Sequence, residues 1–243
     1  MSLPDVVSQD EWRAQRVALL EREKQLTRER DALNADRRRM GMVEVTTPYA
    51  FTGPDGEASL LELFEGRRQL IVGHFMFDPA WEEGCPSCTA GADEMAPGLR
   101  EHLHSRDTTL AYVSRAPLEK IERYKRARGW TFPWYSSFGS PFNYDFHVTI
   151  DEAMAPAEYN FRTRAGHEAH GGRLPDGEYP GTSFFLRDGD RVFHTNSTYA
   201  RGAEMTGGSY YFLDLTALGR QEDWEEPEGR SRSARDAVPG FGP

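Results

Sequence analysis

Long apolar runs are missing from this chain: the longest, "LIVGHFMF" at 70–77, is less than half of the ~20 residues that a membrane-spanning helix requires. The opening "MSLPDVVSQDEW" lacks a basic segment followed by an apolar one, so it does not read as a secretory leader, and a soluble, cytoplasmic protein is expected. Positive charge is in deficit, with 29 Lys and Arg against 39 Asp and Glu and a net charge of -10. A field of that sign repels phosphate backbones and anionic lipid, so neither nucleic acid nor a membrane is expected as a partner. Cysteine is scarce, with two in 243 residues. Two cysteines cannot build a secreted-type disulfide framework, and in a reducing compartment such a pair is more often catalytic or metal-binding than structural. Internal repeats are absent as well, and the length suits one sizeable domain with appendages.

Gly and Pro are absent from Asp10 to Arg39, where strong helix formers dominate, and this predicts one helix of about 30 residues. Trp12, Leu19, Leu26, Leu33 and Met40 recur every seven positions as a narrow apolar stripe that Leu20 widens locally. The positions that would make a second coiled-coil seam, Arg16, Glu23, Arg30 and Arg37, are charged. Two readings stay open: an arm lying on its own domain, or one that makes a homodimer by embracing a second copy. The expected organisation is a helical arm over 1–42, an α/β domain over 43–221 and a mobile tail over 222–243.

Within the domain, "RQLIVGHFMF" at 68–77 reads as a central strand buried on both faces, and "TTLAYVS" at 108–114 as a second. Between them, 88–104 is predicted helical with a break at Pro97 and Gly98. "APLEKIERYKRARGW" is a helix with Pro117 in the first turn, Leu118, Ile121 and Tyr124 on one face, Glu119/Arg123 and Glu122/Arg126 as ion pairs, and Gly129 as its stop. Eight aromatics crowd 130–146, and they are read as core in preference to a ligand pocket. The alternation Phe142, Tyr144, Phe146, Val148, Ile150 predicts a half-buried strand with Asn143, Asp145, His147 and Thr149 on its wet side. Residues 151–181 read as a long surface excursion, and "TSFFLRDGDRVFHT" as two short strands joined at Asp188-Gly189. "SYYFLDLTALG" near the end fits neither the helix nor the strand period.

Both cysteines lie in "WEEGCPSC" at 81–88. A helix opening there would have Cys85 as N-cap, Pro86 at its first position, Ser87 next and Cys88 one turn in. The free N–H groups of Ser87 and Cys88, with the positive end of the helix, would favour thiolate on Cys85, and Glu82 and Glu83 would oppose that. Cys85 is then the nucleophile, and Cys88, expected to be the less exposed, resolves the mixed disulfide. The rival readings are a zinc protein using Cys85, Cys88, His167 and His170, and a ligand-binding or redox-sensing module with an aromatic pocket. A peroxide-reducing site would want Thr three residues before the nucleophile, where this chain has Glu82. His74 is read as a core histidine.

"EWRAQRVALLEREKQLTRERDAL", "HFMFDPAWEEGCPSC", "VSRAPLEKIERYKRARGWTFPWYSSFGSPFNYDFHV", "FHTNSTYARG" and "YYFLDLTALGRQE" resemble a thioredoxin-like bacterial family catalogued as domain of unknown function 899, whose members are described as predicted dithiol-disulfide oxidoreductases. The resemblance runs from Glu11 to Glu222. It implies a thioredoxin-like three-layer α/β sandwich, Cys85 and Cys88 as the catalytic dithiol, no cofactor, and two partners: a disulfide or sulfenic acid substrate, protein or small molecule, and a thiol reductant. It also implies that a cis-proline loop at "YPGTSFF" faces the dithiol. Counting back from the hairpin turn puts Gly181, not Pro180, in register. The expected substrate-binding residues are therefore Trp81, Pro86, Ser87, Pro180, Gly181 and Thr182. "TAGADE" after the second cysteine departs from the family, whose members tend to carry an aromatic there.

Overall fold

A computed structural model describes residues 4–206. Two compact units divide after Gly41, and each is described by itself. The first contains helix α1 (Gln9–Arg39), entered through Ser8, which closes a reciprocal capping box with Glu11. Asp10 and Glu11 in the first turn and Arg37, Arg38 and Arg39 in the last complement the helix dipole. No α1 residue is buried, and Trp12, Leu19, Leu26, Leu33 and Met40 are all exposed.

The second unit begins with β1 (Val43–Glu44), the hairpin β2 (Ala50–Gly53) and β3 (Gly56–Ser59), and a short 3-10 turn before β4 (Gln69–His74). Then follow α2 (Pro86–Asp93), α3 (Leu99–His104), β5 (Thr108–Ser114), α4 (Leu118–Arg128), β6 (Trp134–Ser136), α5 (Phe142–Asp145) and β7 (Thr149–Ile150). After these come β8 (Glu158–Tyr159), β9 (Arg162–Thr163), α6 (Arg164–Glu168), β10 (Gly177–Glu178), β11 (Gly181–Asp188) and β12 (Arg191–Tyr199). The main sheet has the order β1-β12-β11-β4-β5-β6-β2-β3. β4, β5 and β6 run parallel through helical crossovers, and β11 and β12 close the other side as an antiparallel hairpin against β4.

The buried apolar residues of β4 and β5 feed one cluster, and on the other face half-buried Tyr112 and the residues just past β4 feed a second. Leu70, Val72, Ala111 and Val113 join Phe51, Leu63, Phe64, Phe142, Phe146 and Phe185. Phe75 and Phe77, just past β4, join Ala92 of α2, Ile121 and Tyr124 of α4, and Trp134. The second cluster sits beneath the helix that carries the cysteines. Its aromatic rings meet at tilted or edge geometries, Phe75 and Trp134 at a centroid distance of 4.5 Å.

Several expectations are corrected. The alternation from Phe142 to Ile150 is not a strand: Pro141 opens the short helix α5, His147 turns the chain at φ +54°, and only Thr149–Ile150 pair, with β10. The alternation misleads because its supposed wet side is mixed: Asp145 is exposed and His147 half-buried, but Thr149 is buried and Asn143 is 2 % exposed, accepting from Ser137 Oγ at 2.7 Å. In α4, Pro117 is the N-cap, one place outside the helix, and Arg123 reaches Glu82 at 3.3 Å in place of Glu119. The β11–β12 turn centres on Gly189-Asp190, one residue later than expected, with Gly189 at φ +60° and Asp188 paired with Arg191. The excursion over 151–181 contains β8, β9, α6 and β10. "SYYFLDLTALG" and the expected tail over 222–243 lie outside the described residues.

Two glycines test the packing. A Cβ on Gly84 would stand 2.5 Å from the Phe75 ring, whereas one on Gly91, inside α2, meets nothing within 4 Å. Urea denaturation should show Gly84→Ala destabilised by about 1–3 kcal/mol through overpacking. Gly91→Ala should be stabilised by roughly 0.5–1 kcal/mol through helix propensity.

Candidate active site

Beyond His74 the chain leaves the sheet through Phe75, Met76 and Phe77, turns at 78–81, and comes back so that the Cys85 N–H donates to the Met76 carbonyl at 2.9 Å. That bond, with Gly84 flat against Phe75, sets where α2 begins. Cys85 is the N-cap with φ -53° and ψ 130°, and Pro86 takes the first helical position, where its missing N–H costs no intrahelical bond. The Cys85 carbonyl accepts from the Thr89 N–H at 2.9 Å and from Thr89 Oγ1 at 2.8 Å, and Tyr124 holds the same hydroxyl at 2.9 Å. The turn that presents the sulfur is thus tied to α4.

Both cysteines are free and lie 3.9 Å apart. The Cys85 thiol is lowered from 9.0 to about 6. Its largest cause is the hydrogen bond from the Cys88 side chain, followed, against the desolvation of a buried sulfur, by the amides of Cys88 and Ser87 and the Ser87 hydroxyl. No full-strength cap hydrogen bond closes onto the Cys85 side chain, so the amides act on a large, soft acceptor mainly through their dipoles. Cys88 is pushed well above 9.0 by Cys85 and by burial, against a small opposing effect of the Met76 N–H. The pair is therefore asymmetric: negative charge on Cys85, the retained proton on Cys88. Glu82 and Glu83 are not among the groups that act on Cys85. Glu82 is held outward by Lys120 and Arg123, each at 3.3 Å.

Over the whole residue Cys85 is 8 % exposed and Cys88 somewhat more open, yet the Cys88 sulfur is the more deeply buried of the two, as expected. Trp81 is exposed at the tip of that loop, and its carbonyl accepts from Lys120 Nζ at 2.8 Å. Pro86 and Ser87 are exposed on the first turn of α2. Pro180 immediately precedes β11, Gly181 pairs with His74 at the end of β4, and Thr182 pairs with Gly73. The Pro180 carbonyl accepts from Tyr159 at 2.9 Å, and that phenol is within electrostatic range of Cys88. The 180–182 segment therefore borders the strand end from which the dithiol loop departs.

The four residues of the zinc alternative are not brought together: among the described residues no group of three or more His, Cys, Asp or Glu could hold a metal ion. His167 Nε2 bonds the Tyr159 carbonyl at 3.0 Å and His170 Nδ1 the Gly166 carbonyl at 2.8 Å, so ring nitrogens of both serve local turns. His74 is buried, stacks on Phe146 and bonds Ser183 Oγ at 2.8 Å. Burial, with the nearby His194, lowers it to about 3, which keeps it neutral.

The sequence reading missed an array at the C-terminal ends of β4 and β5. Arg115 lies between Asp78 (3.4 Å) and Glu178 (3.3 Å), and also donates to the Tyr144 phenol at 2.6 Å. Glu178 is buried, accepts from Thr149 Oγ1 at 3.0 Å, and is raised from 4.5 to about 7, chiefly by desolvation. A charged residue directly after a buried strand was the one available signal at Arg115. Glu178 gave none, lying in a stretch that reads as surface.

A family model described as a bacterial protein of unknown function, DUF899, matches residues 1–236. The chain belongs to that family. Its body has a thioredoxin-like α/β arrangement, in which parallel β6, β5 and β4 are continued by the antiparallel hairpin β11–β12 and α2 follows the central strand β4. No curated protein matches the chain. Similar solved structures include the bacterioferritin comigratory protein of Xanthomonas campestris, at 12% identity over 68% of this chain and 90% of that one, with a TM-score of 0.44. Others are the peroxidoxin BcpB of Mycobacterium tuberculosis, at 15% identity over 67% and 87% with a TM-score of 0.40, and a reduced 2-Cys peroxiredoxin of Plasmodium vivax, at 13% over 66% and 69% with a TM-score of 0.39.

Two titrations check the electrostatics. Ultraviolet thiolate absorbance should show one sulfur ionising at about pH 6, a step absent from Cys85→Ser and moved upward in Cys88→Ala, which removes its largest cause. Glu178 keeps its proton in the folded state through a window in which the unfolded carboxyl has lost it. Urea midpoints of the wild type relative to Glu178→Gln should therefore fall as pH rises from 4.5 to about 7.

Proposed function

We propose that the protein is a thiol-disulfide oxidoreductase, with Cys85 as nucleophile and Cys88 as resolving thiol. The observation that supports this most directly is the asymmetric pair at the start of α2, a sulfur lowered to about 6 beside a thiol that retains its proton. The thiolate of Cys85 attacks one sulfur of a substrate disulfide, forming a mixed disulfide and expelling the other half as a thiolate that takes up a proton. Once Cys85 no longer carries charge, the repulsion that held the Cys88 proton in place is gone and Cys88 can ionise. It then attacks the Cys85 sulfur, closes the Cys85–Cys88 disulfide and releases the second half of the substrate as a thiol. Two electrons leave the dithiol for the substrate, and an external dithiol reductant returns them by the same steps in reverse.

Substrate would approach over the exposed rim of Trp81, Pro86 and Ser87, with the Pro180–Thr182 segment as the facing wall. The narrow opening above Cys85, 8 % exposed, favours an extended or small disulfide over a folded surface. A reducing compartment, where the dithiol is kept ready, suits this chemistry.

Insulin-disulfide reduction with dithiothreitol as electron source tests the reading. Cys85→Ser should fall to the uncatalysed rate, and Cys88→Ala should accumulate a mixed disulfide on Cys85 that mass spectrometry identifies. The wild-type rate should drop about tenfold per pH unit below the Cys85 pKa, following the thiolate fraction. Undiminished turnover in Cys85→Ser, or an adduct confined to Cys88, would overturn the assignment.

A further inference from the structure

A second concavity, of about 310 Å³, opens elsewhere on the body, and neither cysteine lines it. It is at the lower end of the ~300–1,000 Å³ typical of small-molecule sites. Its walls come from β1 and the loop after it, the end of α5, the β8–β9 turn and β12. Among the described residues no Lys or Arg lines it, whereas three carboxylates do: Glu44, Asp145 and Glu158. Arg191, outside the lining, takes up Glu44 through two hydrogen bonds of 2.9 and 2.7 Å. Asp145 and Glu158 form no ion pair among the described residues.

His147, Thr46 and Thr47 also line the cleft, while the phenols and His194 have their protons engaged. Tyr49 donates to Asp145 at 2.7 Å, and burial together with that carboxylate keeps its phenol protonated. Tyr199 spends its proton on the Phe146 carbonyl at 3.0 Å. His194 is held neutral by burial, and Nε2, which faces the Asn196 carbonyl at 2.9 Å and Ser197 Oγ at 2.8 Å, must carry the ring proton to serve a carbonyl. Its Nδ1 is then an acceptor on a ring that lines the cleft. The phenol protons are committed, and the remaining aromatic surface, from Tyr49, Phe146, Phe161 and Tyr199, adds π faces. Phe161 stands at the lip 72% exposed, with φ +59°, edge-on to Tyr199 at 5.5 Å. A phenylalanine held in the left-handed region and left in water contributes little to the core.

Carboxylates, an imidazole lone pair and aromatic faces all attract positive charge, and all repel an anion. We propose that this cleft is a binding site for a small organic cation, an ammonium group on an apolar body. The ammonium is held between Asp145 and Glu158, and the apolar body lies against Phe146, Tyr199 and Phe161. The site is independent of the dithiol chemistry, since no step at Cys85 or Cys88 involves its residues.

Isothermal titration of the full chain with benzylammonium, benzyl alcohol and benzoate, ligands of one shape and three charges, tests this at low salt and at a pH where histidine is neutral. Benzylammonium should bind at least about tenfold tighter than the alcohol, equivalent to ~1.4 kcal/mol, and benzoate should not bind. Glu158→Gln and Phe161→Ala should each weaken the amine several-fold, and Cys85→Ser should leave it unchanged. Both replaced side chains are tolerant sites, one by conserved shape and the other by exposure, and unchanged melting temperatures confirm folding. Equal affinity for amine and alcohol, preference for benzoate, absence of saturable amine binding, or amine binding that survives both substitutions would each overturn the proposal. Loss of insulin reduction in Cys85→Ser with amine binding intact separates this site from the redox one.

Discussion

A single proton shared unequally between two sulfurs organises the chemistry of this protein. Lowering Cys85 from 9.0 to about 6 is a marked preference for its charged form, gained at a site where burial works the other way. That preference requires the Cys88 side chain and the first free amides of α2 to face one point. They do so because Pro86 presets the first helical dihedral and the Cys85 N–H is fixed to Met76. The anchor belongs to the chain leaving β4, and β4 is held by β5 on one side and β11 on the other. Cys85 thus takes its position from the centre of the sheet.

The same strand ends hold the second perturbed acid. Asp78 belongs to the loop that leads to Cys85, Arg115 follows β5, and Glu178 precedes β11. Arg115 bridges a carboxylate of the loop after β4 and one of β10, so it ties these two segments together as well as balancing charge. With Glu178 at about 7, the array changes its net charge near neutrality, close to where the dithiol itself titrates.

What could be read from the sequence was whatever depended on local pattern. The runs at 70–77 and 108–114 gave the two central strands because burial on both faces removes alternation. The helix opening at Cys85 followed from Pro86 and the spacing of two cysteines, and it stands as expected. The failures come from contacts made across the chain. Phe142 to Ile150 alternates perfectly, yet Asn143 on the presumed wet side is interior and satisfied by Ser137. Arg115 and Glu178 meet only after the sheet closes, and the acid-lined cleft draws on four separate stretches, none of which carries a motif.

The main sheet is bounded by β1, two residues long, and by β3, four residues long with Glu57 exposed. Among the described residues β1 covers β12 only at Phe193 and His194, and the Glu44–Arg191 pair places solvated charge directly at that side. Charge of this kind on an outer strand discourages a second chain from stacking edge to edge.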